Sequence, residues 1–240
     1  MDVQPHNRLR VLLLTREQST PWAPFYVEAF RRQCDVIVAG PPLANEPRTV
    51  RSLFDEVEYF EGNDILTETD DVVEVLRLLP EGWRPQLVVS VQSATPPWRN
   101  MPLLACPTAH ISVDTWHDHR EFDVARHFDF VFSAQCVFTP YFRASGSRHA
   151  FWLPLACAPS HHKPFPETED IDIVFVGRLG FLANRQRLKR LEQLKKHFHV
   201  GILSDITPES MSAIFCRGRI VFNSSISQDV NMRVFEALAA

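Results

Sequence analysis

The stretch Phe222–Ala240, FNSSISQDVNMRVFEALAA, decides how the chain is read. It predicts the end of a buried strand (Arg219–Phe222), a polar loop (Asn223–Asn231) and the first turns of a helix from Met232 onward, with an acid, Glu236, inside the helix. A helix that begins after a polar loop at the carboxyl end of a strand offers unpaired backbone N–H groups and the positive end of its dipole. Together these attract phosphate. A carboxylate about one turn into such a helix accepts hydrogen bonds from the hydroxyls of a ribose. Asn231 either presents an N–H or amide to a ligand at the helix start or plainly caps the helix. Arg233, three residues before Glu236, is either a phosphate contact or the first-turn ion-pair partner of that acid.

Upstream of this stretch the sequence alternates apolar strands with helices. Leu9–Thr15 (LRVLLLT) is a continuous apolar run, the pattern of a strand covered on both faces of a parallel sheet. A helix over Trp22–Arg32, begun near Ser19-Thr20-Pro21, and the strand Asp35–Ala39 complete a β-α-β unit with no GxGxxG in its first turn. A short strand at Val57–Phe60 and a helix at Thr69–Leu79, capped by Thr69 or Asp70, lead to the strand Gln86–Val91. Then come strands at Thr108–Val113, Asp129–Ser133 and His149–Leu153, with helices near Glu121–His127 and Thr139–Ser145. This alternation is that of a doubly wound α/β domain.

Ala158–Glu169 (APSHHKPFPETE) interrupts the pattern with its prolines and reads as a linker, its His161-His162 pair as solvated loop. A second α/β run follows: the strand Asp172–Val176, a turn at Gly177-Arg178-Leu179-Gly180, the helix Arg185–His197, the strand His199–Leu203, the helix Pro208–Cys216 and the opening stretch. Three strands are few for such a sheet. With the chain ending at Ala240 inside a helix, the second domain is expected to be incomplete and to expose apolar surface, giving either self-association or low stability.

With 240 residues, 45% hydrophobic and 22% charged, the chain is globular rather than disordered or fibrous. A net charge of -4 gives no general attraction to nucleic acid, so an anionic ligand needs a local cluster of donors. Five cysteines without a CxxC, mostly among apolar neighbours, read as reduced thiols of a cytoplasmic protein. Neither a signal peptide nor a membrane span is expected.

The stretches PTAHISVDTWHD, FDFVFSAQ, FWLPLACAPSHHKPF, DIVFVGRLG and VNMRVFEALA, in that order, resemble the CgeB-like (spore-maturation-type) branch of GT-B glycosyltransferases. The opening stretch resembles their nucleotide-sugar signature, in which two acids span the loop and the helix start. Glu236 stands at the second acid and Gln228 replaces the first. The resemblance implies two facing Rossmann-like domains, here residues 1–157 on the acceptor side, a linker at 158–170 and a partial nucleotide-sugar-binding domain at 171–240. It implies transfer of a sugar from a UDP- or GDP-linked donor, itself the substrate, to a hydroxyl acceptor, with no cofactor and no metal.

Sugar transfer develops negative charge on the leaving diphosphate, which cations and oriented N–H groups must meet. Gly177 and Arg178 at the strand end and Arg185 at the next helix start are placed to do this, and they loosely match the family's diphosphate grip. Arg185 belongs equally to a row of surface cations (Arg187, Lys189, Arg190, Lys195, Lys196). In the first domain, the run His110–His119 (HISVDTWHDH) offers Asp114, then His117, then His110 as a general base or as holders of the sugar's hydroxyls. Solvated loop residues are the plainer reading of that run. Its spacing is not HExxH and no cysteine pair supports a metal, so metal-dependent hydrolysis is the remote alternative. Trp22, Trp98 and Trp116 are either stacking platforms for an acceptor or packing residues. The competing reading from another class is a non-catalytic binding or interaction module that keeps the fold without a complete donor pocket.

Overall fold

The computed structural model describes residues 8–15, 23–41, 49–51, 56–58, 63–91, 97–116, 118–177, 179, 185–204, 206–225 and 230–240. The chain divides into two compact units, one formed by Met1–Glu46 with Phe60–Pro154 and the other by Pro47–Tyr59 with Leu155–Ala240.

In the first unit the strands are β1 (Arg10–Thr15) and β2 (Asp35–Gly40), then β5 (Ile65–Leu66), β6 (Leu87–Val91), β7 (Thr108–Ser112), β8 (Phe130–Ser133) and β9 (His149–Trp152). Between β2 and β5 the chain forms an antiparallel hairpin, β3 (Thr49–Arg51) and β4 (Glu56–Glu58), which falls in the second unit. The seven strands of the first unit form one parallel sheet in the order β5-β2-β1-β6-β7-β8-β9. Helices α1 (Ala23–Gln33), α2 (Val72–Arg77), α3 (Glu121–Ala125) and α4 (Thr139–Ala144) lie between them in sequence. Leu12, Leu13 and Leu14 of β1 are wholly buried, at roughly 1.5–3 kcal/mol for each side chain. Leu12 and Leu14 share a core with Val72 and Val75 of α2, Val124 of α3, and Trp98.

Trp98 is therefore a packing residue. The predicted start of α1 at Ser19–Pro21, and Trp22, lie outside the described residues. The cap of α2 is Asp71, whose carboxylate accepts from the Val73 N–H at 2.9 Å. Thr69 and Asp70, the expected caps, are engaged elsewhere: the Thr69 hydroxyl accepts from the Asp71 N–H, and Asp70 pairs with Arg99. At the carboxyl end of β2, Gly40 is required by a close approach, since a Cβ there would stand 1.9 Å from the Thr15 carbonyl oxygen.

The second unit carries β10 (Ile171–Val176), β11 (Val200–Leu203) and β12 (Gly218–Val221), parallel in the order β11-β10-β12. Its helices are α5 (Arg185–Leu194), α6 (Pro208–Arg217) and α7 (Met232–Ala239). Ile171, Val174 and Val176 pack with Met211, Ile214 and Phe215 of α6 and with Ala237 of α7. The predicted linker 158–170 is fastened to this unit rather than spanning open solvent. The Phe165 N–H meets the Cys216 sulfur at 3.2 Å, and Asp170 binds Arg217. In this sheet the chain leaves β10 toward β11 on one side and returns to β12 on the other. The carboxyl ends of β10 and β12 thus flank a topological switch point, where open α/β sheets form their ligand crevice.

Candidate functional site

Two loops meet at that switch point. After β10, Gly177 has φ +155, where a Cβ would press on the Phe175 ring at 3.0 Å, so the turn out of the strand needs a glycine. Arg178, the next residue, lies outside the described residues, as does Gln228 in the loop after β12. At the start of α7, Asn231 has an extended backbone and makes no side-chain cap. Its amide instead exchanges hydrogen bonds with Asn223 at 2.9 and 3.2 Å, clamping the two ends of the loop together. The first turn of α7 therefore keeps its N–H groups clear of a capping side chain, the condition for anion binding at a helix start.

Charge gathers beside that turn. Glu236, 3% exposed, has one carboxylate oxygen 2.8 Å from the Arg233 Nη1 and the other 3.3 Å from the His162 Nε2. The oxygen facing Arg233 is in ion-pair range yet accepts no aligned hydrogen bond, which leaves a lone pair to a ligand hydroxyl. Arg233 lies over the Phe215 ring at 5.7 Å, and burial lowers its pKa against the opposing charge of Glu236. From α5, the Arg187 guanidinium donates to the Ser224 carbonyl at 2.6 and 3.2 Å and lies over the Phe175 ring. Burial, and then the charge of Arg233, lower the pKa of Arg187 as well. Two guanidiniums close enough to oppose one another, with one carboxylate paired to Arg233, leave a surplus of positive charge that an anion relieves.

Arg187 was hidden in the sequence among the cations of one helix; its two bonds to the Ser224 carbonyl, its place over the Phe175 ring and its burial are what distinguish it. Arg185, the candidate named from the sequence, is exposed at the start of α5. His162, read as solvated loop, is instead fully enclosed against Glu236.

The histidine run of the first unit divides differently. His110, on β7, has no exposed side-chain surface, and its Nε2 lies 2.7 Å from Glu121 at the start of α3. Its imidazole thus faces Glu121 in the core and not a crevice. Asp114, in the loop after β7, is half-buried and accepts from the Trp116 indole N–H at 3.2 Å. His117 lies outside the described residues. His119 is exposed beside Phe122 and Phe138. Among the described residues no group of three His, Cys, Asp or Glu side chains is placed to hold a metal, and the five cysteines are free thiols. No helix among them is long and apolar enough to cross a membrane.

No protein-family model matches the chain, and no curated protein matches it by sequence. Among solved structures it is similar to the sucrose-phosphate synthase of Thermosynechococcus elongatus, with a TM-score of 0.57 and 12% identity over 96% of this chain and 79% of that one. At that identity the likeness carries the fold: two Rossmann-like α/β units of the GT-B type.

Proposed function

We propose that the chain is a nucleotide-sugar-dependent glycosyltransferase whose donor binds the second unit at the switch point between β10 and β12. The observation that carries this reading is the grouping of Arg187, Arg233 and Glu236 beside the uncapped first turn of α7. The α7 N–H groups and the two guanidiniums meet the diphosphate, and Glu236 accepts from the ribose. Gly177 lets the backbone turn close to the phosphates, Asn231 fixes the loop, and Arg178 and Arg185 add positive charge. As the glycosidic bond to the leaving diphosphate breaks, these fixed cations stabilise the growing charge without a metal ion. On the first unit, Asp114 is the base that takes the acceptor hydroxyl's proton, His117 is the second candidate for that role, and His110 supports β7 from within. The sequence fragments favour the CgeB-like branch and a cytoplasmic enzyme that uses a UDP- or GDP-linked sugar. Self-association through the second unit would involve Ile220 and Leu238, which are exposed on β12 and α7.

Calorimetry with UDP and GDP tests the donor site. Glu236→Ala removes a charged acceptor, at a cost of about 1.5–3 kcal/mol, which is a roughly tenfold to hundredfold loss of affinity. Unchanged affinity in Glu236→Ala and Arg187→Ala alike removes the donor from this position. Mass-detected transfer from UDP-, GDP- and dTDP-sugars then separates an enzyme from a non-catalytic module, which binds the nucleotide and forms no product.

A further inference from the structure

We infer that His162 is a positioning residue that fixes the Glu236 carboxylate for the ribose, a role that rests on the reading of Glu236 as a nucleotide ligand. His162 lies in the turn that follows the Pro154/Leu155 division, far in sequence from α7, yet its side chain is 0% exposed and points at Glu236. The Ala158 N–H donates to the His162 Nδ1 at 2.9 Å. That makes Nδ1 the acceptor of a neutral ring and puts the ring proton on Nε2, the atom 3.3 Å from the Glu236 Oε1. The Ala158 carbonyl, 3.1 Å from Nδ1, is already occupied by the backbone N–H groups of His161 and His162, at 3.0 and 2.8 Å.

The turn is anchored in its own right. The His161 imidazole meets the Glu209 carboxylate on α6, and the Ser212 hydroxyl donates to the His161 carbonyl at 3.5 Å. The His162 ring is therefore held by its own turn, which His161 anchors to α6, and its Nε2 stands 3.3 Å from one oxygen of Glu236, in ion-pair range, while Arg233 faces the other. A carboxylate addressed on both oxygens cannot rotate freely, and its remaining lone pairs keep one direction. Two vicinal hydroxyls need such a fixed acceptor, whereas a diphosphate, met by guanidiniums and helix N–H groups, does not.

The test compares ligands with and without a ribose. Calorimetry of the full chain uses UDP, GDP and inorganic pyrophosphate on the parent, His162→Asn, His162→Gln, Glu236→Gln and the double variant His162→Asn/Glu236→Gln. Asn keeps a polar group near Ala158 and falls short of Glu236, while Gln extends an amide donor to the Nε2 position. In His162→Asn the affinity for the nucleoside diphosphate falls on the order of tenfold, as for a lost hydrogen bond to a charged group, with pyrophosphate unchanged. His162→Gln restores the parent affinity. The double variant binds no more weakly than Glu236→Gln alone, because both changes remove one interaction. An equal loss for pyrophosphate and nucleoside diphosphate shows a purely structural histidine and overturns the inference. So does an unchanged His162→Asn beside a weakened Glu236→Gln, which leaves the donor site standing. A parent chain that binds neither UDP nor GDP overturns the reading of Glu236 and the inference together.

Discussion

Each unit encloses one histidine against one glutamate, and the two pairs do different things. In the first unit, His110 and Glu121 meet at 2.7 Å with 0% and 1% of their side chains exposed, among them the orphaned Nδ1 and Oε1. The Phe128 ring lies 5.1 Å from the imidazole. In the second unit, His162 and Glu236 are also enclosed, but Arg233 joins them, and Arg233 and Glu236 lie on the first turns of α7, with the charge of Arg187 acting on Arg233. A pair sealed in a core is satisfied only by itself, whereas a pair beside a helix start and surplus positive charge is completed by an anion. The chemistry lies in what surrounds the two side chains and not in the side chains themselves.

The largest effect expected from this contrast is on stability. Removing Glu121 leaves the buried His110 Nε2 without its partner and opens a cavity in the core, so Glu121→Ala costs about 3–5 kcal/mol. Urea unfolding measures that loss, and UDP or GDP affinity of the folded fraction stays at the parent value. A Glu121→Ala chain that loses nucleotide affinity while keeping its stability breaks the comparison, because it places the first pair in a binding site.

Next in size is Arg187→Met, which keeps an apolar stem over Phe175 and removes the charge. It weakens nucleoside diphosphate and pyrophosphate together, by about 1.5–3 kcal/mol. Glu236 variants, by contrast, weaken only the ribose-bearing ligand. Raising the salt concentration narrows the difference between parent and variant, since part of the attraction is screened. Selective loss of the nucleoside diphosphate in Arg187→Met contradicts the division of labour between the two residues.

The strands of both sheets were legible because parallel strands covered on two faces carry continuous apolar runs: LRVLLLT, QLVVSV and DIVFV are β1, β6 and β10 almost to the residue. Elements set by a few residues were not. At Ile65–Leu66, β5 is too short to leave a pattern, and the cap of α2 turned on which of three neighbouring side chains reached Val73. In the opening stretch the loop and helix were readable, as was the placing of Glu236 one turn in. Burial imposed by distant segments was not. His162 lies in the run Pro159-Ser160-His161-His162-Lys163-Pro164, a local composition that says solvent, and the docking of its turn on α6 through His161 and its approach to Glu236 of α7 are what mark it as enclosed. His110 shows the reverse case. It drew attention as part of a histidine run, but alternation along β7 turns it toward Glu121.

The smallest effect belongs to an Arg–Asp ion pair without the enclosure. Arg217 donates to Asp170 at 2.9 and 2.5 Å, with 36% and 48% of the two side chains exposed. The hydrogen bonds from Arg217, followed by its charge, hold the Asp170 carboxyl below the ordinary carboxylate range. A folded-state pKa below the unfolded one stabilises the protein above the unfolded value, and this contribution is lost as the pH falls through the folded value. Asp170→Asn therefore lowers the melting temperature slightly at pH 7, and the difference from the parent closes well below pH ~4, where the carboxyl is protonated in both states. Solvent and salt screen an exposed pair, so the shift at pH 7 stays far below that of Glu121→Ala and shrinks further in salt. An Asp170→Asn shift as large as the Glu121→Ala shift, or one that survives into acid, removes enclosure as the property that separates the buried pairs from this one.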